Sequence, residues 1–137
     1  RRGGGGPYIT RGRRVPDMTL KECYAAMGGD YDEAIGRLRS ERLVQKFVLK
    51  FLTDGSYALL CRSMEEQNYE EAFRAAHTIK GVCQNLSIDK LQGSSSRLCE
   101  SLRNGYTPEA DALAEEVRAD YSQTVAAIET YQKESAG

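Results

Sequence analysis

The sequence holds one histidine, three prolines and no tryptophan, and each scarcity excludes something. A lone histidine rules out any zinc site built on two or more imidazoles, and leaves no second one to act as base for a serine nucleophile. The four cysteines, Cys23, Cys61, Cys83 and Cys99, include no C-x-x-C pair, so no short ligand pair nucleates a four-cysteine metal site. Cys61, Cys83 and Cys99 fall among apolar residues at helical spacing and read as reduced core residues of a cytoplasmic protein. No stretch approaches the roughly 20 apolar residues of a membrane span. The richest cluster, Phe47 to Leu52, is interrupted by Lys50. No signal-peptide pattern is present, because glycines stand where its apolar segment belongs. The run Gly3–Gly6 has no preceding strand and no G-x-x-x-x-G-K-[ST], so the chain offers no phosphate loop for ATP.

Charge is unevenly spread. Residues 1–16 carry five arginines (Arg1, Arg2, Arg11, Arg13 and Arg14) and no acid, whereas the rest holds 14 bases against 20 acids. The Gly/Arg-rich segment 1–16 cannot bury a core, and reads as a disordered leader or an expression remnant. The acidic body argues against nucleic acid as a partner, since a nucleic-acid-binding domain presents a basic face. At 137 residues the chain is long enough for one domain, placed at 17–137 with its core at about 41–132.

Prolines stand only at 7, 16 and 108, so residues 17–107 are free of them, and Ala, Leu, Glu, Arg and Lys dominate there. That is helix-forming composition. No run alternates apolar and polar residues, so no strands are expected. Two short helices are expected at about 19–27 and 31–39, followed by one at 41–53 capped by Ser40. Four more follow. The first, at 56–67, carries Tyr57, Leu60, Cys61 and Met64 on one side. The second, at 69–86, starts with Asn68 as cap and Glu71 as the return half of a capping box. The third, at 88–104, ends at Asn104-Gly105. The fourth begins at Thr107-Pro108 and runs to about 132, with a seam of Ala110, Leu113, Val117, Tyr121, Thr124, Ile128 and Tyr131. Short connections make consecutive helices antiparallel. The expected fold class is all-α: an up-down-up-down antiparallel four-helix bundle with additional short N-terminal helices, and the 41–53 helix packed across it.

The 69–86 helix carries the most informative residues. Its seam is Tyr69, Ala72, Ala76, Ile79, Cys83 and Leu86, in steps of three and four. His77 lies about 100° from that seam, on the bundle shoulder. Phe73, Lys80, Gly81 and Gln84 share its flank. An imidazole is nucleophilic in its neutral form. A phosphoryl group placed on it carries roughly two negative charges, which Lys80 can partly neutralise. Gly81 costs about 1 kcal/mol of helix propensity relative to alanine, and close approach of a bulky partner is the simplest reason for it. Gln84 adds a hydrogen-bonding group at the rim.

The run Ala76-His77-Thr78-Ile79-Lys80-Gly81, followed by Gln84-Asn85-Leu86, closely resembles the phosphoacceptor signature A-H-T-L-K-G … N-L-G of histidine-containing phosphotransfer (HPt) domains. The resemblance spans roughly residues 41–132. It departs at Ser87, where the family usually has glycine, which puts the hairpin turn in question. It implies a phosphorelay intermediate. His77 would take a phosphoryl group from the aspartate of one receiver domain and pass it to another, by in-line transfer through Nε2, with Lys80 steadying the charge. The receiver would supply the Mg²⁺, and this chain would bind no cofactor or metal of its own. It would be a phosphocarrier rather than an enzyme, a cytoplasmic monomer with neither nucleic acid nor membrane as partner.

Counting outward from the hairpin near 86–87 sets His77 level with about Ser96, so Gly93-Ser94-Ser95-Ser96-Arg97 is expected across from it. Phe73, Gly81, Gln84 and Arg97 are the candidates for a receiver-facing patch, although Phe73 could equally pack against the 41–53 helix. The alternative function is a structural or adaptor bundle in which His77 has no chemical role. Adjacent acids such as Glu65-Glu66, Glu70-Glu71 and Glu115-Glu116 point different ways around their helices and read as solvated faces.

Overall fold

The computed structural model describes residues 18–136, and the segment 1–16 lies outside them. Seven helices and no strands occur among the described residues: α1 (Leu20–Met27), α2 (Tyr31–Leu38), α3 (Glu41–Phe51), α4 (Ser56–Glu65), α5 (Tyr69–Leu86), α6 (Asp89–Ser101) and α7 (Glu109–Ala136). The most extensive packing joins α5 to α6, α4 to α5 and α6 to α7, giving an all-helical bundle.

Local chemistry accounts for most helix ends. Thr19 and Glu22 form a complete capping box at α1, and Ser40 Oγ accepts from the Leu43 N–H at α3. Two expected caps differ. Asn68 accepts from the Glu71 N–H, but its own N–H donates to the Ser63 carbonyl, and the Glu71 carboxylate pairs with Arg74 instead. The box is therefore half formed, because the tight α4–α5 turn already satisfies the donor that Glu71 would have taken. Similarly, α7 starts at Glu109 rather than Pro108. The Thr107 carbonyl accepts from the Ala110 N–H, while its hydroxyl is buried without a partner. At the other end α6 stops at Ser101, three residues earlier than Asn104-Gly105 suggested.

The α5 seam is buried at Ala72, Ala76, Ile79, Cys83 and Leu86, with Tyr69 half-buried. It shares one core with Leu91, Leu98 and Leu102 around α6 and with Val117 and Ile128 on α7, where Thr124 is also buried. Ser94 and Ser95 are fully buried, and the Ser95 hydroxyl donates to the Leu91 carbonyl, so these small residues serve packing rather than surface. Cys83 and Cys99 are buried as expected, but Cys61 is exposed. Helix α4 turns Leu60 and Ser63 inward, and Cys61, about 100° from Leu60, falls on the flank.

The two short N-terminal helices pack on the bundle. Helix α1 lies along α7, with Cys23, Tyr24 and Met27 fully buried. The α1–α2 turn then grips the α5–α6 turn. Tyr24 Oη donates to the Leu86 carbonyl at 2.7 Å, the Asp30 N–H to the Ser87 carbonyl, and the Lys90 N–H to the Gly28 carbonyl. Arg37 Nη1 reaches the carbonyls of Gln84 and Asn85 and the Ser87 hydroxyl at 2.9, 3.2 and 2.6 Å. Ser87 is itself left-handed (φ 57°), so the departure from glycine keeps the helix-ending conformation rather than changing it.

Candidate functional site

His77 lies in the middle of α5, and its side chain is exposed. Its backbone is fixed because Ala75, Ala76 and Ile79 on either side are buried in the core. Among the described residues no hydrogen bond or ion pair engages its ring nitrogens; its one ring contact is Phe73, one turn earlier, with centroids 6.3 Å apart. An exposed imidazole with both nitrogens unengaged, on a rigid helix, can act as a nucleophile or accept a group in transfer.

Its neighbours form three flanks. Toward the C-terminus, Gly81 is exposed, and a Cβ built there would meet nothing within 4 Å. No packing constraint within the chain therefore requires a glycine. Gln84 is exposed one turn further on, with its main-chain carbonyl held by Arg37. Toward α6, Lys80 is half-buried, and its positive charge acts on Cys99 and Glu100. Toward the N-terminus, Phe73 and Arg74 line a shallow depression together with His77, Thr78 and Arg103. Phe73 is half-buried there, beside Leu102, Arg103 and Gly105. On that side it borders the end of α6, while α3 lines a separate groove with Val82, Asn85 and Leu86.

The expected residues are not all gathered in one place. Phe73 lines the depression beside His77, and Lys80, Gly81 and Gln84 follow the histidine along α5 three, four and seven residues later. Arg97 pairs with Glu116 of α7 at 3.0 Å. Another arginine, overlooked in the sequence, stands beside the histidine: Arg103, whose guanidinium carbon lies 5.4 Å from the centroid of the Phe73 ring. No helical spacing rule pointed to it, because Arg103 stands two residues beyond the end of α6 at Ser101, in the turn that follows. Arg103 is held by a two-pronged pair with Glu100 (2.9 and 3.2 Å), and the same contact keeps the Glu100 carboxyl below the usual carboxylate range.

The only three-acid grouping among the described residues able to hold a cation is Asp30, Glu33 and Asp89, all exposed at the α1–α2 and α5–α6 turns, with Arg37 paired to Glu33 beside it. It belongs to a different part of the surface from His77. Burial raises the thiol of Cys23 to about 11 and that of Cys83 to about 12, so neither is primed as a nucleophile. No helix among the described residues is long and apolar enough to cross a membrane.

Comparison with known proteins supplies the family. A family model for the Hpt domain matches residues 33–127, most of the chain, and includes His77 and the whole of α3 to α6. Neither the curated proteins nor the solved structures give a match. Hpt domains are phosphocarrier modules of two-component phosphorelays that interact with receiver domains and carry no ATP site of their own. On the extent of that match, the chain belongs to the Hpt domain family.

Proposed function

We propose that this chain is a phosphorelay intermediate in which His77 accepts a phosphoryl group from the aspartyl phosphate of one receiver domain and passes it to the aspartate of another. The observation that carries this reading is the exposed, unengaged imidazole one turn from a glycine with open space above it. In the forward step a ring nitrogen, Nε2 in our reading, attacks phosphorus in line with the acyl-phosphate oxygen. The P–O bond to aspartate breaks as the P–N bond forms, and the aspartate leaves as carboxylate. The receiver supplies Mg²⁺, which neutralises the phosphoryl oxygens during transfer. This chain contributes position and charge: Lys80 faces the developing dianion, Gly81 gives the receiver access, and Gln84 offers a hydrogen bond at the rim.

The docking patch in this reading centres on Phe73, Gly81 and Gln84, with Arg97 bordering it on the α7 side. The bundle that presents it is α4 to α7 running alternately up and down, and the protein acts as a monomer in the cytoplasm. The test is transfer itself. Pre-phosphorylated receiver domains and Mg²⁺ are mixed with the protein and with His77→Gln. Acid-labile, base-stable phosphate on the native chain and none on the variant is expected. A folded protein that no receiver labels would instead favour an adaptor role.

A further inference from the structure

The depression beside His77 holds a cation that the signature motif does not include. Phe73, His77 and Arg103 line it together, and Arg103 is carried there from the end of α6, over the face of Phe73. Its guanidinium is bound through Nε and Nη2 to Glu100, a pair exposed to solvent (50% and 70% of the side-chain surfaces). Such a pair is weak, because water and salt screen it. A phosphoryl group on His77 would place about two negative charges in the same depression, against the single charge of Glu100. A guanidinium fork binds phosphoryl oxygens in two-pronged geometry, and Nη1 lies outside the Glu100 pair. Lys80, whose charge already acts on Glu100, approaches from the same α6 side.

We infer that Arg103 is a second cationic ligand of phosphorylated His77, held ready over Phe73 and restrained by Glu100, from which it transfers to the phosphoryl oxygens when the histidine is loaded. This rests on His77 being the phosphoacceptor. In the empty protein Glu100 holds the arginine; in the loaded protein the stronger anion takes it. Phe73 supplies the platform over which the guanidinium moves without losing its apolar contact.

The experiment needs no receiver. Phosphoramidate phosphorylates an accessible imidazole, ammonia leaving as the P–N bond to His77 forms. The ³¹P resonance of the phosphohistidine is then followed against pH in the whole chain. A bound cation favours the dianionic phosphoryl group and lowers the pH at which it titrates. Arg103→Ala is expected to raise that midpoint by about half to one pH unit, equivalent to a three- to tenfold weaker preference for the dianion. Arg103→Lys keeps the charge but not the fork, and recovers part of the shift. Glu100→Gln releases the arginine and moves the midpoint the other way, by about twofold in the same preference, and this effect disappears in the Arg103→Ala background. Arg118→Ala, an equal charge change on α7, leaves the midpoint where it was. A phosphohistidine signal whose titration ignores Arg103, or a Glu100→Gln effect that survives without Arg103, overturns the inference and leaves the phosphoacceptor reading standing. No signal on His77 in the folded protein overturns both.

Discussion

Gly81 sets stability against access, and its replacement separates the two. It lies in the interior of α5, away from either end, on the exposed face. Its backbone is helical and an added Cβ meets nothing within 4 Å, so Gly81→Ala introduces no clash within the chain. The only terms left are backbone entropy and exposure of the peptide to water, which favour alanine by about 1 kcal/mol in a helix interior. For a domain of this size that is about 3–5 °C in Tm. Urea unfolding followed by far-UV circular dichroism should show a higher midpoint with unchanged slope. Gly81→Gln should keep most of that gain, since glutamine is also a good helix former, while setting a long side chain over the approach to His77. Transfer from a phosphorylated receiver is therefore expected to fall modestly in Gly81→Ala and by at least about tenfold in Gly81→Gln, while phosphorylation by phosphoramidate, a far smaller donor, is little changed. If both variants are more stable and both accept phosphate from a receiver as fast as the native chain, the access argument fails. If neither is more stable, the helix argument fails.

Other measurements probe the remaining elements. Arg37→Ala removes contacts to two terminal carbonyls of α5 and to the Ser87 hydroxyl, and should lower stability by about 1–2 kcal/mol in urea, with faster hydrogen exchange at the last turn of α5. Ser87→Gly relieves a left-handed backbone but loses the bond from Arg37, so it should be near neutral in the native chain and stabilising by about 1 kcal/mol once Arg37→Ala is present. A thiol reagent should label Cys61 rapidly in the folded protein, and Cys23, Cys83 and Cys99 only at the rate of unfolding. Stability should also fall in alkali. Because burial raises the Cys23 and Cys83 thiols to about 11 and about 12, the unfolded chain releases these protons first. Stability is then intact below pH 9 and declines as pH climbs from 9 toward those values. Replacing both with alanine should flatten that part of the curve, and an unchanged slope would put the loss elsewhere.

Helix order was legible because long amphipathic segments state their own period. The α5 and α7 seams needed only steps of three and four, and the turn residues Gly28, Ser40, Gly55 and Asn68 marked the breaks. The exposed placement of His77 was legible for a related reason, since a single imidazole just off a strong seam admits few placements, while its phosphoacceptor role came only as what the Ala76-His77-Thr78-Ile79-Lys80-Gly81 resemblance implies. What stayed hidden depended on pairing between helices. Helix α1 has eight residues, too few for its pattern to say which surface it covers, and only the structure lays it along α7. Arg97 and Arg103 are six residues apart near the same helix, and sequence spacing cannot say which reaches His77 and which reaches Glu116. That choice depends on the lean and length of a side chain, not on its position in a repeat. Cys61 was misplaced because four candidate apolar residues on a ten-residue helix fit more than one stripe, and the core selected Leu60 with Ser63.

The departure at Ser87 shows how a local rule can yield to a tertiary contact. A helix ending in a left-handed residue favours glycine, since any side chain strains that conformation by about 1 kcal/mol. Here the serine is buried and left-handed, yet its hydroxyl and carbonyl are both bonded, the first to Arg37 and the second to the Asp30 N–H. Helix α5 has no basic residue of its own in its last turn, and Arg37 brings one there from α2. The positive guanidinium against the final carbonyls of α5 offsets the cost of the serine and complements the negative end of the helix dipole. The N-terminal helices thus act on the helix that bears His77, at the turn where it would otherwise be least secure. If this compensation is real, the interaction energy between positions 37 and 87 in the double-mutant cycle must exceed about 0.5 kcal/mol, the level at which independent sites usually add.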